Sequence, residues 1–211
     1  MIQPGTLPAP LIAYEWVKAY IIGLPADQEV FLNEGALAAQ TGTSRGPVRD
    51  ALLRLEVEGF LKRIPNKGAY VPPITDPDIQ ALMEARGVIE RWTAQHSLEA
   101  LRRSVGELQG IIDDQRDALG DISKFIELDI DFHTRMIRLG NNALLTDFYS
   151  SLRQRQLRVG IKAVSHGDDR GRDVLVEHQQ ILDAIRGDNA DEVIACIDGH
   201  LHSTLLAVTR P

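Results

Sequence analysis

Residues 44–61, SRGPVRDALLRLEVEGFL, decide the reading of the N-terminal part of the chain. Ser44 is a suitable N-cap. Pro47 is tolerated because the first helical turn has no intrahelical donor to lose, and Val48, Ala51, Leu52 and Leu55 repeat as one apolar stripe that stops at Gly59. Just upstream, residues 33–40 open with Asn33 and Glu34, a capping residue and a first-turn acid. They turn Leu37 and Ala38 inward and break at Thr41-Gly42. Two helices joined by so short a turn form a helix-turn-helix. Residues 11–24 supply a preceding helix, with Leu11, Ile12, Val17, Ile21 and Ile22 at helical spacing. Downstream, residues 60–64 and 69–71 read as two short strands around Pro65-Asn66-Lys67-Gly68, a tight reversal that makes a small wing.

A recognition helix needs basic or small residues at its exposed N-terminal end, and this pattern assigns Ser44, Arg45 and Arg49 to double-stranded DNA. Arg45 and Arg49 lie four apart and share one face, opposite Val48 and Leu52. Either arginine can pair with a guanine edge or clamp a phosphate, and the spacing leaves both open. Lys67, at the wing tip beside Gly68, is placed to enter the minor groove or touch the backbone.

The formal charge of −7 argues against nucleic acid only until it is divided along the chain. Residues 1–75 hold seven Lys/Arg and seven Asp/Glu, so the deficit belongs to 76–211, where 16 basic residues face 23 acidic ones. A basic patch on a neutral reader can grip phosphates while an acidic remainder repels nonspecific DNA. Hydrophobic residues at 44% and charged residues at 25% suit a globular protein and exclude a disordered chain. No apolar run reaches the roughly 18 residues of a membrane span, and residues 1–10 lack the pattern of a secretory signal, so a cytoplasmic location with no membrane partner is expected. The single cysteine, Cys196, excludes an internal disulfide framework and reads as a small buried apolar residue.

Pro72, Pro73 and Pro77 mark a composition shift, and the domain boundary is placed near Thr75. Beyond it only helical periodicity is present: 79–101, 105–119, 122–139, 143–165, 173–186 and 190–208, broken at glycine- and asparagine-rich turns. The fold expected is therefore mainly α. A winged helix-turn-helix with a small β-wing spans residues 1–75, and an antiparallel bundle of about six helices spans 76–211.

The chain has six histidines, at 96, 133, 166, 178, 200 and 202. In ELDIDFH, Asp129 and His133 are four apart and share one helix face with apolar neighbours. Burying that pair without a partner would be costly, and a shared cation removes the cost. His178 lies on or beside the inward stripe of Ile181, Leu182 and Ile185, and His200 lies near Ile194, Ile197 and Leu201, so three helices can bring one carboxylate and three imidazoles together. Such a set suits a divalent Zn, Ni, Mn, Fe or Co ion and leaves room for a further ligand. His202 points elsewhere.

Residues 33–71, NEGALAAQTGTSRGPVRDALLRLEVEGFLKRIPNKGAYV, resemble the winged helix-turn-helix of the GntR family of transcriptional regulators. By that resemblance Arg45 and Arg49 match the principal DNA-contacting arginines, Ser44 the helix cap near phosphate, and Gly68 the wing-tip glycine. Gly46 departs from the family's usual threonine, which removes a hydroxyl contact. LDIDFH, VEHQQILDAIRGDNADEV and the His200-Leu201 pair are similar to the C-terminal FCD domain of the FadR subfamily, in its shorter, six-helix form. The resemblance covers roughly residues 10–205 and implies Asp129, His133, His178 and His200 as metal ligands. It also implies a homodimer on paired half-sites and a small carboxylate effector bound at the metal. Arg86, Asn141 and Arg158 are the candidates for the effector's other contacts, although Arg86 could pair with Glu90, Asn141 could be a helix C-cap and Arg158 a solvated helix residue. The function expected is a regulator whose operator affinity the effector controls. A purely metal-responsive regulator is the alternative, with a metal-dependent enzyme behind it for want of a separate acid or base.

Overall fold

The computed structural model of the chain describes residues 8–65, 67–165 and 169–209, so the wing residue Asn66 and His166 lie outside the described residues. Two compact units, Met1–Ile74 and Thr75–Pro211, divide it.

In the first unit, helix α1 (Ala9–Ile22) buries Ala13, Val17 and Ile21, which pack with the Val48, Ala51, Leu52 and Leu55 stripe of α3 (Arg45–Val57). Between them α2 (Glu34–Thr41) is capped by Asn33, whose side chain accepts from the N–H groups of Gly35 and Ala36. The helix ends at Gly42, whose φ of 65° lies in the left-handed region that glycine enters without strain. Ser44 stands at the N-cap of α3 with an extended backbone, but its side chain makes no capping hydrogen bond, contrary to the sequence expectation. Arg54 on α3 is exposed, stacked 3.8 Å over the Tyr14 ring and paired with Glu58.

The wing has three strands where two were expected. β2 (Lys62–Ile64) and β3 (Gly68–Val71) form the hairpin, and β1 (Val30–Leu32) adds to the other edge of β3, pairing Val30 with Val71 and Leu32 with Ala69. A three-residue strand is too short for alternation to show, and its only buried side chain is Leu32. Gly68 has φ 90°, and a Cβ there would meet the Leu32 carbonyl at 3.3 Å, so backbone angle and space both call for glycine at the wing tip.

The second unit is all helix among its described residues. α4 (Asp76–Arg103) starts at a capping box between Thr75 and Asp78 and is kinked at Ser97. α5 (Val105–Asp117), α6 (Ile122–Leu139), α9 (Arg170–Arg186) and α10 (Ala190–Thr209) lie close to the sequence expectation. The expected single helix 143–165 is instead two, α7 (Ala143–Ser151) and α8 (Arg153–Ser165), which makes seven helices rather than six. The break falls after a serine pair. The Ser151 hydroxyl bonds to the Phe148 carbonyl at 2.6 Å and the Leu152 N–H bonds back only three residues to Tyr149, so local bonds replace the helical ladder there. α6 carries the most continuous buried face, with Phe125, Ile126, Phe132, Met136 and Ile137 surrounding Asp129 and His133.

Candidate DNA-reading face and candidate metal centre

Arg45 and Arg49 both stand exposed on α3, while Val48 and Leu52 on the opposite face are buried, so the apolar stripe positions the cations. A surface groove is lined by Arg45, Lys67 and Gly68 together with Phe31, Asn33 and Gly35. The start of α3 and the wing tip thus share one concavity, and β1, the strand the sequence hid, forms its wall. Arg49 stands outside this groove's lining.

In the helical unit one ligand atom from each of Asp129, His133, His178 and His200 lies within 4.8 Å of the others, and all four residues are buried. His133 Nε2 and His178 Nε2 are 3.2 Å apart, and His178 Nε2 is 3.3 Å from Asp129 Oδ1. The far side of each ring is held from behind. His178 Nδ1 is 2.9 Å from Gln115 Oε1, and the Gln115 amide is oriented by its own donation to the Phe125 carbonyl. His200 Nδ1 is 2.8 Å from Glu177 Oε2, and Arg170 grips both oxygens of that carboxylate. His133 Nδ1 lies 3.0 Å from Glu90 Oε2, off the line of a good hydrogen bond.

These supports settle the proton positions. Gln115 Oε1 and the Glu177 carboxylate can only accept, so Nδ1 of His178 and of His200 carries the proton and both Nε2 atoms present lone pairs. Burial lowers both histidines, His178 to about 4, against the opposing pull of Asp129 and of Glu177 respectively. Burial would raise the Asp129 carboxyl, but the surrounding histidines, His178 foremost, hold it below its ordinary range. At neutral pH an anion and at least two imidazole lone pairs therefore converge on one buried point, with His200 Nε2 lacking any hydrogen-bond partner among the described residues. Acceptors facing acceptors repel unless a cation lies between them, and this donor set fits a divalent ion.

A second layer extends the centre. Glu90, fully buried, accepts from Arg86 Nε at 2.8 Å and from the Tyr149 hydroxyl at 2.7 Å. Burial works to raise the Glu90 carboxyl, but Arg86 and His133 outweigh it and keep it ionised. Neither Glu90 nor Tyr149 stood out as a site residue in the sequence, although Glu90 sits one helical turn from Arg86. Glu177 adjoins His178 in the chain, whereas Gln115 lies 63 residues from the histidine it holds and left no local signal.

Beside Asp129 is a cavity of about 20 Å³, room for a water or two. Arg86 lines it, with Gln156 and Arg170 and the apolar side chains of Met83, Ile126 and Val159. Of the expected effector contacts the structure brings only Arg86 to this cavity. Asn141 is an exposed turn residue at φ 50° after α6, and Arg158 is buried in α8 outside the cavity's lining rather than solvated. His96 and His202 are exposed and apart from the centre. No helix among the described residues is long and apolar enough to cross a membrane.

Comparison with known proteins gives two family matches. Residues 13–71 match the family described as bacterial regulatory proteins, gntR family, and residues 81–203 match the FCD domain. The Nta operon transcriptional regulator of Aminobacter aminovorans is 33% identical over 127 residues, 59% of this chain and 60% of its own length. The Uxu operon regulator of Haemophilus influenzae is 26% identical over 202 residues, 87% of this chain and 73% of that protein. The structure of E. coli McbR/YncC superposes with a TM-score of 0.70 at 21% identity, covering 93% of this chain and 95% of that one. A GntR-type protein of Rhodococcus sp. RHA1 does so at 0.66 and 22%, covering 95% and 96%. At these identities the structures speak for the fold alone.

Proposed function

The chain belongs to the GntR family of bacterial regulatory proteins, with an FCD domain following its winged helix, and is a transcriptional regulator rather than an enzyme; on that premise we propose that a divalent metal held by Asp129, His133, His178 and His200 forms the floor of a site for a small carboxylate effector, whose binding changes operator affinity. One observation carries the metal: the His178 and His200 tautomers, set by Gln115 and Glu177, leave lone pairs aimed at each other and at a carboxylate in a buried interior. The ion would supply a positive charge and an open coordination position for an effector oxygen. Arg86 reaches the adjoining cavity with its Nη2 unsatisfied among the described residues, which suits a second carboxylate oxygen.

On the DNA side, Arg45 and Arg49 read base edges or phosphates from the start of α3. Lys67 and Gly68 bring the wing to the groove beside them, and the α3 first turn flanking Ser44 offers its amide groups to a phosphate. The protein acts as a homodimer on paired half-sites, and the effector shifts the dimer between states of different operator fit. DNA retardation with the protein's own upstream region, with and without chelator and a panel of small carboxylic acids, tests the whole reading. An acid that changes specific binding only in metal-loaded protein supports it, and specific binding indifferent to every acid and to chelation overturns the sensing half.

A second reading has an observation of its own. The cavity beside Asp129 is water-sized, which favours a regulator that answers to the metal itself. In the same assay that reading expects DNA affinity to follow metal occupancy and to ignore every acid.

A further inference from the structure

Helix α6 carries a second polar face, opposite the one that holds Asp129 and His133. Asp131, Thr134, Arg135 and Arg138 follow one another along it at helical spacing and line a surface groove of about 500 Å³, a volume in the range of small-molecule sites. Ser150, near the end of α7, and Arg153, at the start of α8, line the same groove. Three guanidinium groups thus meet in one concavity of a unit whose acids outnumber its bases, and Asp131 is the one carboxylate in the lining. Local ion pairs do not cancel this charge. Arg153 Nη1 is 2.9 Å from Asp131 Oδ1 and Arg135 Nη2 is 2.6 Å from Glu107 Oε2, but all four side chains are partly exposed and each arginine is held through a single nitrogen. Arg135 Nε is buried with no hydrogen-bond partner among the described residues, a donor that native proteins seldom leave unsatisfied. Arg138, exposed on the last turn of α6, enters no ion pair among the described residues.

We propose that this groove is a second ligand site, separate from the metal centre, for the phosphate group of a small phosphorylated metabolite. The donor set chooses phosphate over carboxylate. A carboxylate has two oxygens and one negative charge, which a single guanidinium fork satisfies, so three forks and two hydroxyls would leave donors idle. A phosphate monoester near pH 7 carries about −1.5 to −2 charge on three free oxygens. Arg135, Arg138 and Arg153 can then each hold one edge of it, while the Thr134 and Ser150 hydroxyls donate to the lone pairs that remain. Ile111 is the one apolar side chain in the lining, so the groove gives an apolar ligand little to grip. Asp131 offers an acceptor to a hydroxyl on the organic part of the ester, which favours a polyol or sugar phosphate.

The test is calorimetric titration of the full-length protein at fixed ionic strength, with inorganic phosphate, glycerol 3-phosphate and glucose 6-phosphate as probes and glucuronate as the carboxylate counterpart of the last. Arg138→Gln and Arg155→Gln are titrated alongside. Both arginines are exposed and only Arg138 lines the groove, so the second variant removes the same charge from outside the site. Unchanged melting temperatures confirm that both variants are folded. At least one phosphate probe should bind the wild type. Arg138→Gln should weaken it by roughly tenfold, the scale of one charge-assisted hydrogen bond, and Arg155→Gln by less than about twofold. Glucuronate, if it binds at all, should be indifferent to Arg138→Gln. Phosphate binding that survives Arg138→Gln unchanged overturns the proposal, because the anion then sits elsewhere, the metal centre included. Equal weakening by Arg155→Gln overturns it too, since diffuse surface charge then accounts for the binding. Glucuronate weakened by Arg138→Gln as much as glucose 6-phosphate overturns the choice of phosphate, and no binding of any probe at millimolar concentration overturns the site.

Discussion

The two units handle charge in opposite ways. In the winged unit the groups assigned to DNA, Arg45, Arg49 and Lys67, stand exposed on a scaffold held by an apolar stripe, and none is needed to fill the core. In the helical unit the groups assigned to sensing are the core. Arg86, Glu90, Asp129, His133, His178 and His200 are all buried, and each is held by another polar group. A surface reader can therefore be altered without unfolding, whereas a buried sensor couples its chemistry to its stability. Each substitution below measures how far that division holds.

The largest effect belongs to Glu90→Ala. It removes the acceptor for Arg86 and Tyr149 together and leaves a guanidinium uncompensated in the interior, which should cost about 3–5 kcal/mol in denaturant unfolding. A loss below about 1 kcal/mol, the ordinary value of an exposed pair, would mean that the network is open to water and that the contrast between the units is false. Metal removal comes next. A ligand at a hundred times its dissociation constant stabilises the folded state by about 2.7 kcal/mol, so chelation should lower the melting temperature of the wild type measurably. His178→Ala should bind less metal and melt at the same temperature with or without chelator. A variant that remained fully loaded would remove His178 from the ligand set.

On the other side of the comparison, Arg49→Ala should weaken operator binding by about 1–3 kcal/mol with no change in melting temperature. Unchanged affinity would show that Arg49 is an ordinary surface cation. Loss of stability alongside affinity would show that the reader is less independent of its core than the burial pattern indicates.

The same contrast explains what could be read in the sequence. The helix-turn-helix is local: Asn33, Gly42, Pro47 and the Val48 to Leu55 stripe specify it within about 25 residues, because caps and turns act on their neighbours. The four residues of the candidate metal centre were legible for a similar reason, since each lies on a helix whose apolar period shows which face turns inward. Their supports were not. Gln115 and Glu90 reach the histidines, and Tyr149 reaches Glu90, across turns that no local pattern encodes, and Gln156 and Arg170 meet at the cavity only after α8 and α9 have packed. Strand β1 was missed because its pairing with β3 comes from 40 residues away. The break at Leu152 was missed because two serines compete with a helix quietly, with no glycine or proline at the break.

Lys67→Ala should give the smallest effect and the finest test of the winged unit. Lys67 is exposed at the wing tip, and its backbone N–H bonds to the Ile64 carbonyl, so the turn itself does not depend on the side chain. A lysine that neutralises one phosphate releases about one counterion, so its removal should flatten the slope of log affinity against log salt by roughly one while weakening specific and nonspecific DNA alike. If the slope is unchanged, the wing tip stands clear of the backbone and Lys67 is a solvated turn residue. If specific DNA suffers while nonspecific DNA does not, the lysine reads the minor groove instead, and the groove it shares with Arg45 carries sequence information from both of its walls.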